Sequence, residues 1–128
     1  MRGQRVLAIE HDWRLRKLIR ANLEPLGLEV QEAVSGEHGL ELLREGQPDL
    51  ILLDLDLPDT DAAQLLVTLP GHCNPPVPII VISAEPLSRQ FRQQGQAAGH
   101  LQKPFAAPTL LERVQQILDR PDVFESSP

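Results

Sequence analysis

Aromatic residues and cysteine are scarce in this chain. Its 128 residues include no tyrosine, one tryptophan, three phenylalanines and one cysteine. A single cysteine, Cys73, excludes a disulfide framework and a cysteine-based zinc site. Positive charge is also thin: 12 Lys and Arg stand against 18 Asp and Glu, for a net charge of −6 and a pI near 5.1. That balance argues against a nucleic-acid surface, which needs clustered cations to meet phosphates. No apolar run approaches the roughly 18 residues of a membrane-spanning helix, and no secretory leader pattern opens the chain, so a cytoplasmic location is the expectation. Nor does a glycine-rich loop follow the first apolar run, so nucleotide or flavin phosphates lack their usual cradle. Hydrophobic residues at 41% and charged residues at 23% are ordinary, and suffice for one folded domain with a real core.

Four short apolar runs stand out: Val6-Leu7-Ala8-Ile9, Leu50-Ile51-Leu52-Leu53, Ile79-Ile80-Val81-Ile82 and a weaker one centred on Leu101. Runs without alternation mark strands covered on both faces, hence a parallel sheet. A fifth segment, Leu28-Glu29-Val30-Gln31, alternates as an edge strand does. Helical spacing lies between them. Leu15, Leu18, Ile19 and Leu26 share a face, with Arg14, Arg16, Lys17 and Arg20 forming a solvated one. Ser35 is placed to cap a segment with Leu40, Leu42 and Leu43. Leu65, Leu66 and Leu69 form a third stripe, and Leu110, Leu111, Val114, Ile117 and Leu118 a last one behind Pro108. Residues 70–78 are too rich in proline for regular structure, and 86–99 hold few large apolar residues, so a helix there is short. Strand and helix alternating five times predicts an α/β sandwich with right-handed crossovers. Residues 1–119 are expected to form the domain, and 120–128, which lose periodicity, a tail or the start of a linker.

In a parallel sheet all strands end at one edge, where ligands bind. Glu10, His11 and Asp12 follow the first run, Asp54 the second, Ser83 the third, and Lys103-Pro104 the last strand. Asp54 opens an acidic stretch with Asp56, Asp59 and Asp61, which by itself reads either as a turn-rich loop or as a cation or phosphate site. Carboxylates, a hydroxyl and a lysine at one edge suit phosphoryl transfer to a carboxylate. A cation would neutralise the acids, and an ammonium and a hydroxyl would take up phosphoryl oxygens. Lys103 is one of only two lysines; the bland alternative is a structural lysine with its head in solvent.

At these positions the sequence resembles the receiver domain of the two-component response regulator family, over residues 5 to about 119. The resemblance rests on Val6 through Asp12, on Pro48-Asp49-Leu50-Ile51-Leu52-Leu53-Asp54-Leu55-Asp56-Leu57-Pro58-Asp59, on Pro78 through Ala84, and on Lys103-Pro104-Phe105. It implies a flavodoxin-like (βα)5 fold, one five-stranded parallel sheet in the order 2-1-3-4-5 with helices on both faces. It makes Asp54 the phosphoacceptor and gives Mg²⁺ an acidic site at Glu10 and Asp54, with the backbone carbonyl of Asp56. Ser83 becomes the switching hydroxyl, Lys103 the phosphate-contacting lysine, and the Lys103–Pro104 bond cis. The partner implied is a sensor histidine kinase or phosphotransfer protein, and the output domain or protein is unspecified. Such a domain is not an enzyme in its own right, although it assists its own phosphorylation and dephosphorylation. Neither nucleic acid nor membrane is an expected partner.

Two departures stand out. Where the family has a second acidic residue that ligates the metal, this chain has His11. Three consequences compete: Glu10 or Asp12 reaches a more weakly held Mg²⁺; imidazole favours Mn²⁺ or Zn²⁺; or protonated His11 partly replaces the cation. The first is the expectation. Where the family has an aromatic switch residue, this chain has His100, and with a shortened fourth helix this argues against the family's usual dimer. A smaller departure is Ala62, where glycine is frequent. The competing function is a degenerate receiver that acts as an interaction module without phosphorylation.

Overall fold

The structure, a computed structural model, describes residues 3–59, 61–93 and 97–119. Its strands are β1 (Arg5–Ile9), β2 (Glu29–Ala33), β3 (Leu50–Asp54), β4 (Ile79–Ser83) and β5 (Gly99–Gln102). Its α-helices are α1 (Trp13–Leu23), α2 (Gly36–Glu45), α3 (Ala62–Thr68), α4 (Arg89–Gln93) and α5 (Ala107–Leu118). All strand pairs are parallel and the order is β2-β1-β3-β4-β5, as the resemblance implied. The expected tail at 120–128 lies outside the described residues.

The unbroken apolar runs are explained by the two layers of helix. Leu7, Ile9, Ile51, Leu53, Ile79 and Val81 face α2 and α3, packing with Leu43, Leu65 and Leu66. The alternate residues Val6, Ala8, Leu50, Leu52, Ile80 and Ile82 face α1 and α5, packing with Ile19, Leu23, Leu110 and Val114. Every residue of β3 and β4 is buried, whereas edge strand β2 keeps a mixed pattern. Period-two side-chain direction therefore gives both faces of the central strands to the core.

Local chemistry sets the helix ends. Ser35 accepts a hydrogen bond from the His38 amide and caps α2 as expected. The stripe predicted through Leu26 stops earlier. α1 ends at Leu23, and Glu24–Leu26 form a 3₁₀ turn around Pro25, closed by Gly27 at φ 89°. Part of the Pro-rich stretch is regular as well, since Leu69–His72 form a second 3₁₀ turn. α4 spans five residues, in keeping with the sparse apolar content there. Pro108 lies in the first turn of α5, whose first residue is Ala107.

Gly39 of α2 lies directly against β1. A methyl group there would come within 2.6 Å of Ile9 Cδ1 and 2.9 Å of its Cγ1, and Ile9 is fully buried. Ala would gain about 1 kcal/mol of helix propensity. Overpacking against a confined side chain costs about 1–3 kcal/mol. Gly39→Ala should therefore lower the thermal midpoint by a few degrees; an unchanged or raised midpoint in calorimetry would refute the close packing.

Candidate functional site

The sheet ladder continues past the strand ends and places the site residues. The Glu10 amide donates to the Ala33 carbonyl at 3.0 Å, the Leu55 amide to Ile82 at 2.8 Å, and the Lys103 amide to Ser83 at 2.7 Å. Glu10, Asp54, Ser83 and Lys103 are thus carried to one edge by main-chain bonds alone. The side chains of Glu10 and Asp54 are wholly buried, and Ser83 is nearly so.

Lys103 Nζ lies 3.1 Å from Asp54 Oδ1, 3.4 Å from Glu10 Oε1 and 3.8 Å from Asp56 Oδ2. The ammonium is held in the pocket, so the alternative of a lysine headed into solvent does not apply. His11 Nδ1 lies 3.0 Å from Asp54 Oδ2 and 3.6 Å from Glu10 Oε2. The Asp56 amide donates to Asp54 Oδ1 at 2.8 Å, and the Asp12 amide to Glu10 Oε2 at 3.1 Å. The Lys103–Pro104 bond is cis, as implied.

These contacts separate the two buried acids. Burial pushes both toward protonation. For Asp54 it is outweighed by hydrogen bonds from Glu10, the Asp56 amide, His11 and Lys103, which hold its carboxyl below the usual range. Glu10 rises from 4.5 to about 7, chiefly by burial and then by Asp54, against the opposing Asp12 amide and Lys103. Burial alone would lower the pKa of the Lys103 ammonium, but it is raised by the charges of Glu10 and Asp54 and by its contacts with them. One carboxylate is kept ionised beside an ammonium, and its neighbour is poised near neutrality.

The rest of the acidic stretch divides by task. Asp59 Oδ1 accepts the Gly36 amide at 3.2 Å, linking its loop to the start of α2. Asp61 accepts the Gln64 amide in the first turn of α3. The side chain of Asp56 accepts the Ala84 amide at 3.0 Å and ties the loop after β3 to the loop after β4. Asp12 was an alternative metal ligand, but it caps α1 by accepting the Arg14 amide at 2.9 Å. It does not join the group of potential ligands Glu10, His11 and Asp54, whose donor atoms lie within 4.8 Å of one another. That group fits a divalent cation. Glu10 Oε1 is buried without a hydrogen bond, and two carboxylates with an imidazole form a metal-compatible donor set.

Two features of the site were not anticipated. The Ser83 hydroxyl donates to the Glu85 carbonyl at 2.6 Å, so its oxygen is left to accept from His100 Nε2 at 2.8 Å. Burial, with Arg113 nearby, lowers the affinity of His100 for a proton. His100 therefore contacts the Ser83 hydroxyl directly. Two of the four α1 cations also differ from the expected solvated face, on which Arg14 and Lys17 do lie exposed. Arg16 donates to the Glu10 carbonyl at 2.7 Å and to Glu32 at 3.1 Å, while Arg20 pairs with Glu32 at 2.8 Å and donates to the Val30 carbonyl. They fasten α1 to β2 and hold the backbone of Glu10. Arg14 lies 5.8 Å from the ring of the exposed Trp13 at the rim.

A buried aspartate at the end of β3, bonded to a lysine after β5 and flanked by acid after β1, defines a class: the receiver domains of signalling proteins. The comparisons agree. The model of the response regulator receiver domain matches residues 6–115, and the chain belongs to that family. It is 30% identical over 115 residues to the transcriptional regulatory protein SrrA of Staphylococcus aureus, covering 90% of this chain and 48% of that protein. It thus spans about half the length of the curated relatives it matches. Among solved structures it is similar to chemotaxis protein CheY4 of Vibrio cholerae, at 28% identity and TM-score 0.79, over 90% of this chain and 98% of that one. The Francisella response regulator 1452 receiver domain gives 27% identity and TM-score 0.80, over 92% and 98%. Among the described residues no helix is long and apolar enough to cross a membrane.

The raised Glu10 has a consequence for stability. An acid whose folded value lies above its unfolded one stabilises the fold fully below about 4.5, and that contribution is lost as pH rises through about 7. Without divalent metal, Glu10→Gln should then stabilise the protein by about 1–3 kcal/mol near pH 8, with a gain several-fold smaller near pH 5. Thermal melts in chelator at both pH values check this; equal gains would contradict the buried, poised carboxyl.

Proposed function

We propose that this receiver takes a phosphoryl group from a phosphohistidine donor, a sensor histidine kinase or phosphotransfer protein, onto Asp54. The observation that carries the reading is the Asp54 carboxylate, kept ionised in a buried pocket and bonded to Lys103 at 3.1 Å. A carboxylate oxygen attacks phosphorus, and the P–N bond to the donor imidazole breaks. Lys103 then offsets charge on the transferred group. The cation implied is Mg²⁺; Glu10 and Asp54 with the Asp56 backbone carbonyl would hold it, and His11 would weaken that hold. It would neutralise phosphoryl oxygens.

The added charge is read through Ser83. To reach the phosphoryl group its hydroxyl must leave the Glu85 carbonyl and His100, which frees the His100 ring and the loop after β4 together. The domain thus acts as a switch and not as an enzyme with an external turnover substrate. A cytoplasmic setting matches the supply of a kinase-borne phosphoryl group.

Incubation with a small phosphodonor, with and without Mg²⁺, tests this by intact mass. Wild type should gain one phosphoryl group in a metal-dependent manner, and Asp54→Asn should gain none. A chain that stays unmodified, yet folded, would instead support the phosphorylation-independent module.

A further inference from the structure

His11 is the residue at which this pocket parts from an all-oxygen site. Its ring stands on the rim, 45% exposed, with Nδ1 turned inward to 3.0 Å from Asp54 Oδ2 and 3.6 Å from Glu10 Oε2. In the metal-free pocket this nitrogen is hydrogen-bonded to Asp54, and a cation would take the place of the shared proton; two donors bound to one small cation at about 2.1 Å sit about 3.0–3.4 Å apart, so little movement is needed. Glu10 Oε1 is fully buried and has no well-formed hydrogen bond; it is ion-paired with the Lys103 ammonium at 3.4 Å.

We propose that Glu10, His11 and Asp54 form a mixed nitrogen–oxygen metal site that prefers borderline first-row cations, Zn²⁺ and then Mn²⁺, to Mg²⁺. Mg²⁺ is hard, gives up water reluctantly and gains most from anionic oxygen. Lys103 brings one positive charge to the carboxylates of Glu10, Asp54 and Asp56. A further carboxylate in place of His11 would add one negative charge, so the imidazole removes one charge of attraction from the cation that depends on charge most. The same ring offers a nitrogen lone pair, which later divalent metals bind more strongly, in the order Mn²⁺ below Zn²⁺. Asp12 does not supply the missing oxygen here: its Oδ1 caps α1, and it lies outside the donor group. His38, whose Nδ1 accepts the Val34 amide at 3.2 Å, is not part of this group.

The inference builds on the phosphoacceptor reading in placing the cation beside Asp54, but it is measured with no phosphodonor present. The metal-free chain is titrated separately with MgCl₂, MnCl₂ and ZnCl₂, followed by calorimetry and by the fluorescence of Trp13, two residues from His11. Wild type should bind Mn²⁺ about tenfold more tightly than Mg²⁺, and Zn²⁺ more tightly again. His11→Asp should tighten Mg²⁺ about tenfold and bring the Mn²⁺ and Mg²⁺ affinities to within about threefold. His11→Ala should lose Zn²⁺ affinity by a larger factor than Mg²⁺ affinity, and Asp54→Asn should weaken all three metals. The preference is overturned if the Mn²⁺ to Mg²⁺ ratio is the same in wild type and His11→Asp, or if wild type binds neither Mn²⁺ nor Zn²⁺ at millimolar concentration. If Asp54 is still phosphorylated in that same preparation, the metal preference falls while the phosphoacceptor reading stands.

Discussion

The site depends on the pairing of one ammonium with two carboxylates that the sheet buries together. Glu10 directly follows β1 and Asp54 ends the neighbouring β3, both wholly buried, and Lys103 reaches them from beyond β5. Two unpaired carboxylates in such a place would be costly, and removing the one ammonium that pairs with them would leave uncompensated buried charge, a loss of typically about 3–5 kcal/mol. The offset here is incomplete, and Glu10 carries the remainder as a raised affinity for a proton. That imbalance is what a cation can relieve. A pocket fully balanced without ligand would have less to gain from binding one.

The fold serves this arrangement by excluding side-chain choice from placement. Main-chain bonds beyond the strand ends fix where Glu10, Leu55 and Lys103 leave the sheet, and Arg16 pins the Glu10 carbonyl from α1. The reacting edge is therefore stiff at its base. Above it stand the elements that the proposed switch would move: the Ser83 hydroxyl, bonded to the Glu85 carbonyl and to His100, and the short α4 beyond it. A rigid charge site under a movable hydroxyl is the division of labour a two-state element requires, since a ligand shifts an equilibrium only through contacts that differ between the states.

Much of this was legible in the residues. Unbroken runs such as Leu50 to Leu53 can be apolar on both faces only if helices cover both, and that alone yields a parallel sheet with a reactive edge. Asp54, Ser83 and Lys103 could be placed there because each directly follows a run or a strand. The misses share a cause. Leu26 fitted the helical spacing, but Pro25 and Gly27 end the helix locally. Arg16 and Arg20 read as solvated because spacing along one helix cannot show Glu32 on the neighbouring strand or the Glu10 carbonyl beneath. Asp12 looked like a spare ligand, yet its position before Trp13 makes it a cap, a role its residue type already favours. The His100 contact with Ser83 depends on how β4 and β5 align and where two side chains turn, which no single segment encodes.

The central claim is that the carboxylate beside Lys103 accepts the phosphoryl group. After reaction with a small phosphodonor and Mg²⁺, borohydride reduces an acyl phosphate to the alcohol, and peptide mapping then reads the modified position. The account predicts homoserine at position 54 and nowhere else in the chain. Homoserine or its equivalent at another acidic residue, with Asp54 intact, would contradict it.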